Sequence, residues 1–141
     1  MKVKDIMTSN PAVCTPDTML PEVARMMVDR DCGQIPVIES GASPRPVGVV
    51  TDRDIIVRAV ARGMNPLGMT ARDVMTSPAV TVTPDTKLED FAGALAQKRV
   101  RRMPVVDDAG SCTGMASQAD IAQHAPEKLT AKVVRTVSEP I

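Results

Sequence analysis

The stretch Gly48-Val49-Val50-Thr51-Asp52-Arg53-Asp54 closes an apolar run and opens a helix in one step. A glycine followed by two valines reads as the last residues of a buried strand. Thr51 and Asp54, three apart, fall where the helix begins. Ile55, Ile56, Ala59 and Val60 continue at helical spacing, and Gly63 supplies a stop. The pattern returns as Gly114-Met115-Ala116-Ser117-Gln118-Ala119-Asp120-Ile121. A strand that delivers a hydroxyl and a carboxylate to a helix start therefore occurs twice.

Around it the whole chain repeats. Asp5-Ile6-Met7-Thr8-Ser9 matches Asp73-Val74-Met75-Thr76-Ser77, 68 positions later. Thr15-Pro16-Asp17-Thr18 matches Thr83-Pro84-Asp85-Thr86, and Ile35-Pro36-Val37-Ile38 matches Met103-Pro104-Val105-Val106, at the same displacement. Asp54 and Asp120 are 66 apart, which puts two extra residues in the 41–46 loop of the first copy. A fixed order at a fixed period marks a duplicated module.

Each copy predicts β-α-β-β-α. Short strands are expected at 12–14 and 79–82. Helices follow, with Thr18 and Thr86 as N-caps and Thr86-Lys87-Leu88-Glu89 as a capping box. Pro21 falls in the first turn, where no amide donor is needed. The apolar stripes are Leu20, Val23, Ala24, Met27 and Leu88, Phe91, Ala92, Leu95. Strands are expected at 35–38 and 47–50, then at 103–106 and 112–116, each pair followed by a helix (52–62; 118–123). The division that follows is repeat 1 at 1–63, a turn-rich linker at 64–70, repeat 2 at 71–125, and a helix and tail at 126–141. The terminal helix, 127–137, carries Leu129, Val133 and Val137 on one face and is free to pack on a partner subunit. A copy of about 60 residues buries little surface alone, so the two are expected to share a core.

Composition narrows the function. The chain has 141 residues, 43% hydrophobic, with no apolar run long enough to span a membrane and no secretory h-region, which points to the cytosol. Seventeen basic residues balance seventeen acidic ones. Duplex binders need a positive excess and single-strand binders need aromatic platforms; one Phe, no Tyr and no Trp argue against both. Ten methionines fill volume that aromatics would otherwise take. Three widely spaced cysteines, Cys14, Cys32 and Cys112, fit reduced, inert thiols better than a disulfide framework.

A tandem β-α-β-β-α module with an apolar-Pro-Val strand and a Gly-h-h-Thr/Ser-x-x-Asp strand end resembles a pair of CBS domains, the Bateman module. The resemblance covers about residues 3–125. Thr51-Asp52-Arg53-Asp54-Ile55, the run Val100-Arg101-Arg102-Met103-Pro104 and the added helix are similar to bacterial stress-associated CBS-pair proteins. The implied fold is α+β, two repeats packed sheet to sheet with pseudo-twofold symmetry. It implies homodimers and an adenine nucleotide (AMP, ADP or ATP) as regulatory ligand, not a catalytic cofactor.

Thr51 and Asp54 suit a helix cap. They equally suit a nucleotide, the carboxylate taking a ribose diol and the hydroxyl and first-turn amides facing phosphate. The resemblance favours the second use. It pairs Thr51, Arg53 and Asp54 with Ala79, Val80, Arg101, Arg102, Met103 and Pro104 of the other copy. A second pocket would combine Ser117 and Asp120 with Val13, Gly33, Gln34, Ile35 and Pro36. Arginine forks match phosphate oxygens, so the Arg101-Arg102 pocket is expected to bind more tightly. Lys98 and Arg99 suit a solvated helix end.

No metal is expected: His124 is the single histidine and no zinc-ligand spacing surrounds it. Neither a nucleophile with a neighbouring base nor a Gly-rich phosphate loop is present, so no enzyme is expected. Non-catalytic nucleotide sensing, read by an effector protein, leads. The rivals are a structural dimer with vestigial pockets and a weakly nucleic-acid-associated stress protein using residues 98–102.

Overall fold

The computed structural model describes residues 1–39, 44–125 and 127–138. Residues 41–43 of the long first-copy loop and the side chain of Val137 lie outside the described set. The elements are β1 (Thr8–Ser9), α1 (Leu20–Arg30), β2 (Gln34–Ile38), β3 (Pro46–Thr51), α2 (Asp52–Arg58), α3 (Ala71–Val74), α4 (Leu88–Lys98), β4 (Arg102–Val106), β5 (Cys112–Ser117), α5 (Gln118–His124) and α6 (Glu127–Val137). The strands expected at 12–14 and 79–82 shrink to single parallel bridges, Cys14 on Val37 and Val82 on Val105. Helix α2 stops at Arg58 and continues as a 3-10 turn, Val60–Arg62, closed by Gly63 at φ 73°.

The chain forms two compact units: one from 11–80 with 109–112, the other from 1–10, 81–108 and 113–141. They are not the two repeats taken whole. The start of repeat 1 is built into the unit of repeat 2: Thr8 and Ser9 pair antiparallel with Met115 and Gly114. In the same way Thr76, from the start of repeat 2, pairs with Val49 of β3. The two leading segments are exchanged.

That exchange explains why both copies carry the same glycine. A methyl group on Gly48 would stand 2.7 Å from the Thr76 carbonyl oxygen, and one on Gly114 would stand 2.9 Å from that of Thr8. The Asp-x-Met-Thr-Ser segment and the Gly-h-h strand are therefore two halves of one close approach.

The exchanged segments also start the helices, which overturns the expected caps. Met19 and Lys87, not Thr18 and Thr86, are the N-cap residues, and neither caps through its side chain. The first helical amides are met by backbone: Leu20 N–H donates to Met69 O and Leu88 N–H to Met1 O, at 2.9 and 3.1 Å. Thr18 and Thr86 close the preceding turns instead, their hydroxyls accepting from Thr15 N–H and Thr83 N–H. A backbone carbonyl from a distant segment supplies the acceptor. Ion pairs repeat the theme: Arg72 meets Asp17 at 2.6 Å and Lys4 meets Asp85 at 3.2 Å. The hydrogen bond and charge of Asp17 raise the Arg72 pKa, and those of Lys4 lower that of Asp85.

Each unit has its own core. One gathers Leu20, Val23, Ile35, Val37, Val50, Ala71 and Val74; the other gathers Leu88, Phe91, Leu95, Met103, Val105, Ile121 and Val133. Ala24 departs from its expected stripe and is exposed, as are Ile56 on α2 and Val60 in the 3-10 turn after it. Helix α6 has the predicted limits, but it packs on α4 and α5 of its own unit, with Val133 buried against them. Part of its apolar stripe is thus used within its own unit.

Candidate functional site

Strand β3 runs straight into α2, and the junction is a closed capping box. Asp54 N–H donates to Thr51 Oγ1 and Thr51 N–H donates to Asp54 Oδ2, both at 3.0 Å. The β5–α5 junction repeats it: Asp120 N–H donates to Ser117 Oγ at 3.1 Å and Ser117 N–H donates to Asp120 Oδ2 at 2.9 Å. Threonine or serine with an acidic residue three later satisfies two orphan amides reciprocally. An ionised carboxylate has about four acceptor positions, so the cap does not exhaust either one.

Beyond the cap the two carboxylates differ. Thr76 Oγ1 donates to Asp54 Oδ1 and Oδ2 at 3.2 and 3.3 Å. Arg58 Nε lies 4.0 Å from Asp54 Oδ1, while its Nη1 donates to the carbonyls of Val74 and Met75 at 3.0 and 2.7 Å. Asp120 has neither kind of side-chain partner among the described residues. Sequence reasoning missed Thr76 and Arg58. The available signals were the i,i+4 spacing of Asp54 and Arg58 and the threonine repeated at 8 and 76.

The other expected residues sort by unit and by face. Thr51, Arg53, Asp54, Ala79, Val80, Val13, Gly33, Gln34, Ile35 and Pro36 belong to one unit. Arg101, Arg102, Met103, Pro104, Ser117 and Asp120 belong to the other. Within the first, Gln34 lies opposite Thr51, Pro36 opposite Val49, and Gly33 O accepts from Asp52 N–H at 3.0 Å. Residues expected in separate pockets thus meet across one hairpin. The second unit matches: Arg101 O accepts from Gln118 N–H at 2.8 Å.

Burial decides which side chains are available. Ile35 and Met103 are buried in the cores, and Gln34, Pro36 and Pro104 are buried as well, whereas Arg102 is half-buried and Arg101 exposed. Among the described residues, Arg101 and Arg102 have no ion-pair or side-chain hydrogen-bond partner. Arg53 is exposed at the start of α2, Ala79 and Val13 are half-buried, and Val80 is exposed. Gln34 Oε1 and Gln118 Oε1 are buried acceptors with no hydrogen-bond donor among the described residues; Gln118 was not anticipated.

Cys14 is buried, and burial, with a smaller contribution from Glu22, pushes its thiol up to about 11. It is protonated and unreactive at neutral pH. No cluster of three or more His, Cys, Asp or Glu among the described residues is placed to hold a metal ion. No described helix is long and apolar enough to cross a membrane.

A paired, duplicated module with this strand-to-helix box defines a class. The CBS domain pattern matches residues 3–60 and again 71–127, and the chain belongs to the CBS domain family as a tandem pair. It is similar to the uncharacterized protein MK0525 of Methanopyrus kandleri, 31% identical over 123 residues, 87% of this chain but 59% of that one. The chain therefore spans little more than half of that relative. Hypoxic response protein 1 of Mycobacterium tuberculosis is 28% identical over 138 residues, covering 98% of this chain and 94% of that protein.

Solved structures agree on the fold. A crystal structure of hypoxic response protein I with two coordinated zinc ions superposes with a TM-score of 0.78, at 26% identity, over 89% of this chain and all of that one. CBSX2 in complex with AMP superposes at 0.73, with 28% identity, over 88% and 95%.

Proposed function

We propose that the chain is a regulatory adenine-nucleotide sensor with no chemistry of its own, working in the cytosol as a homodimer read by an effector protein. The observation that carries this is the box at each strand-to-helix junction of a CBS pair, where the carboxylate that closes the cap keeps acceptor positions the cap does not use. One carboxylate oxygen pair can receive the two hydroxyls of a ribose, and the helix start favours phosphate. The AMP complex of the related CBSX2 supports the ligand class.

In this reading the ligand contacts are Asp54 and Thr51 with the backbone near Ala79 and Val80, and Asp120 and Ser117, with Gly33, Gln34, Ile35, Arg101 and Arg102 as further candidates. Among the described residues the Arg101 and Arg102 guanidinium groups have no ion-pair partner, which suits them to phosphate. Signalling requires unequal affinity for two arrangements of the module or dimer. The engagement of Asp54 by Thr76 favours one rival, a structural dimer whose pocket is filled by side chains.

A thermal-shift panel of AMP, ADP, ATP, NAD and S-adenosylmethionine, followed by calorimetry on the strongest hit, tests the proposal. Asp54→Ala and Arg102→Ala are each expected to weaken binding about tenfold or more, from the loss of a hydrogen bond to a charged group. A flat panel, or affinity unchanged in both variants, would discard the nucleotide reading.

A further inference from the structure

We infer that Thr76 is a further member of the Asp54 site, its hydroxyl occupying the position a vicinal diol would take and so setting the affinity for the ligand. The inference rests on the nucleotide reading of Asp54. Thr76 Oγ1 is nearly equidistant from the two carboxylate oxygens, 3.2 and 3.3 Å. A donor placed so stands at the open end of the carboxylate, where bidentate partners bind. With Thr51 N–H already on Oδ2, a ribose diol can reach both oxygens only after Thr76 turns away.

The second unit is an internal comparison. Thr8 holds the place of Thr76, 68 residues earlier, and pairs with Met115 as Thr76 pairs with Val49. Yet among the described residues no side-chain hydroxyl reaches Asp120, and His124 replaces Arg58 at the matching position. The backbone plan is shared; the occupied carboxylate is not. Rotation of the Thr76 side chain is sufficient for release, because its backbone bonds to Val49, at 2.8 and 3.0 Å, are made by other atoms.

Thr76→Val removes the competing donor and keeps the branched shape suited to a strand edge. Calorimetry with AMP, in an Asp120→Ala background so that the Asp54 site alone titrates, is expected to give about three- to tenfold tighter binding for the Val variant. That is below the full effect of a buried bond to a charge, since Thr76 is exposed. The gain should vanish with 2′,3′-dideoxy-AMP, which has no diol. Thr76→Ala serves the same purpose should the Val variant melt early.

Equal or weaker AMP binding by the hydroxyl-free variants, or a gain that persists with the dideoxy ligand, overturns the role of Thr76 while leaving the nucleotide reading intact. Absence of AMP uptake with Thr76 and without it overturns both.

Discussion

At the residue scale the most constrained positions are the glycines that admit the exchanged backbone. An alanine methyl at Gly48 would press on the Thr76 carbonyl, a backbone atom that cannot rotate away. Gly48→Ala is expected to cost about 1–3 kcal/mol by overpacking, read as a lower urea midpoint. Gly93, exposed on α4 with nothing within 4 Å of a built methyl, is the control. There Ala should stabilise by about 0.5–1 kcal/mol, the usual helix-interior difference. Equal effects at the two sites would show that the close approach does not constrain position 48. The sequence marked Gly48 as part of a motif, but not why a glycine was needed: the contacting atom lies 28 residues further along the chain.

At the element scale, periodicity was a good guide, while capping was read rightly at α2 and α5 and wrongly at α1 and α4. Strands β2 to β5 and helix α6 lie where the apolar runs, the repeat and 3.6-residue spacing put them. Thr18 and Thr86 had the right chemistry for caps in the right place, but Met69 and Met1 carbonyls reach the helix amides first. A sequence window cannot see a competitor that arrives from another segment. Helix α6 belongs to its unit's core, with Val133 2% exposed. Val133→Ala is expected to lower stability by about 1–2.5 kcal/mol, from the hydrocarbon lost and the cavity left. Denaturant unfolding at two protein concentrations checks it: a loss seen solely as weaker self-association would move α6 to a subunit interface.

At the scale of the whole molecule the compact unit is not the unit of repetition. Residues 71–74 lie outside the first repeat, yet Ala71 and Val74 are buried in the core built on its strands. A fragment of residues 11–80 contains that core; one of residues 1–63 lacks Met69, Ala71 and Val74 and carries Val3 and Ile6, which belong to the other core. The longer fragment is expected to show sigmoidal thermal unfolding by circular dichroism, and the shorter one a broad, weakly cooperative melt. Equally sharp transitions would mean that the exchanged segments contribute little to either core.

The sequence by itself determined the duplication, the α+β alternation of each copy and the two strand-to-helix boxes, because these depend on spacing within a few residues or on identity at a fixed period. Only the tertiary structure decided which leading segment joins which sheet, what starts α1 and α4, and that among the described residues Asp54 alone of the two acids receives a threonine hydroxyl. Those outcomes turn on distances between residues far apart in the chain, and two copies with nearly the same motif can differ there by the reach of one side chain.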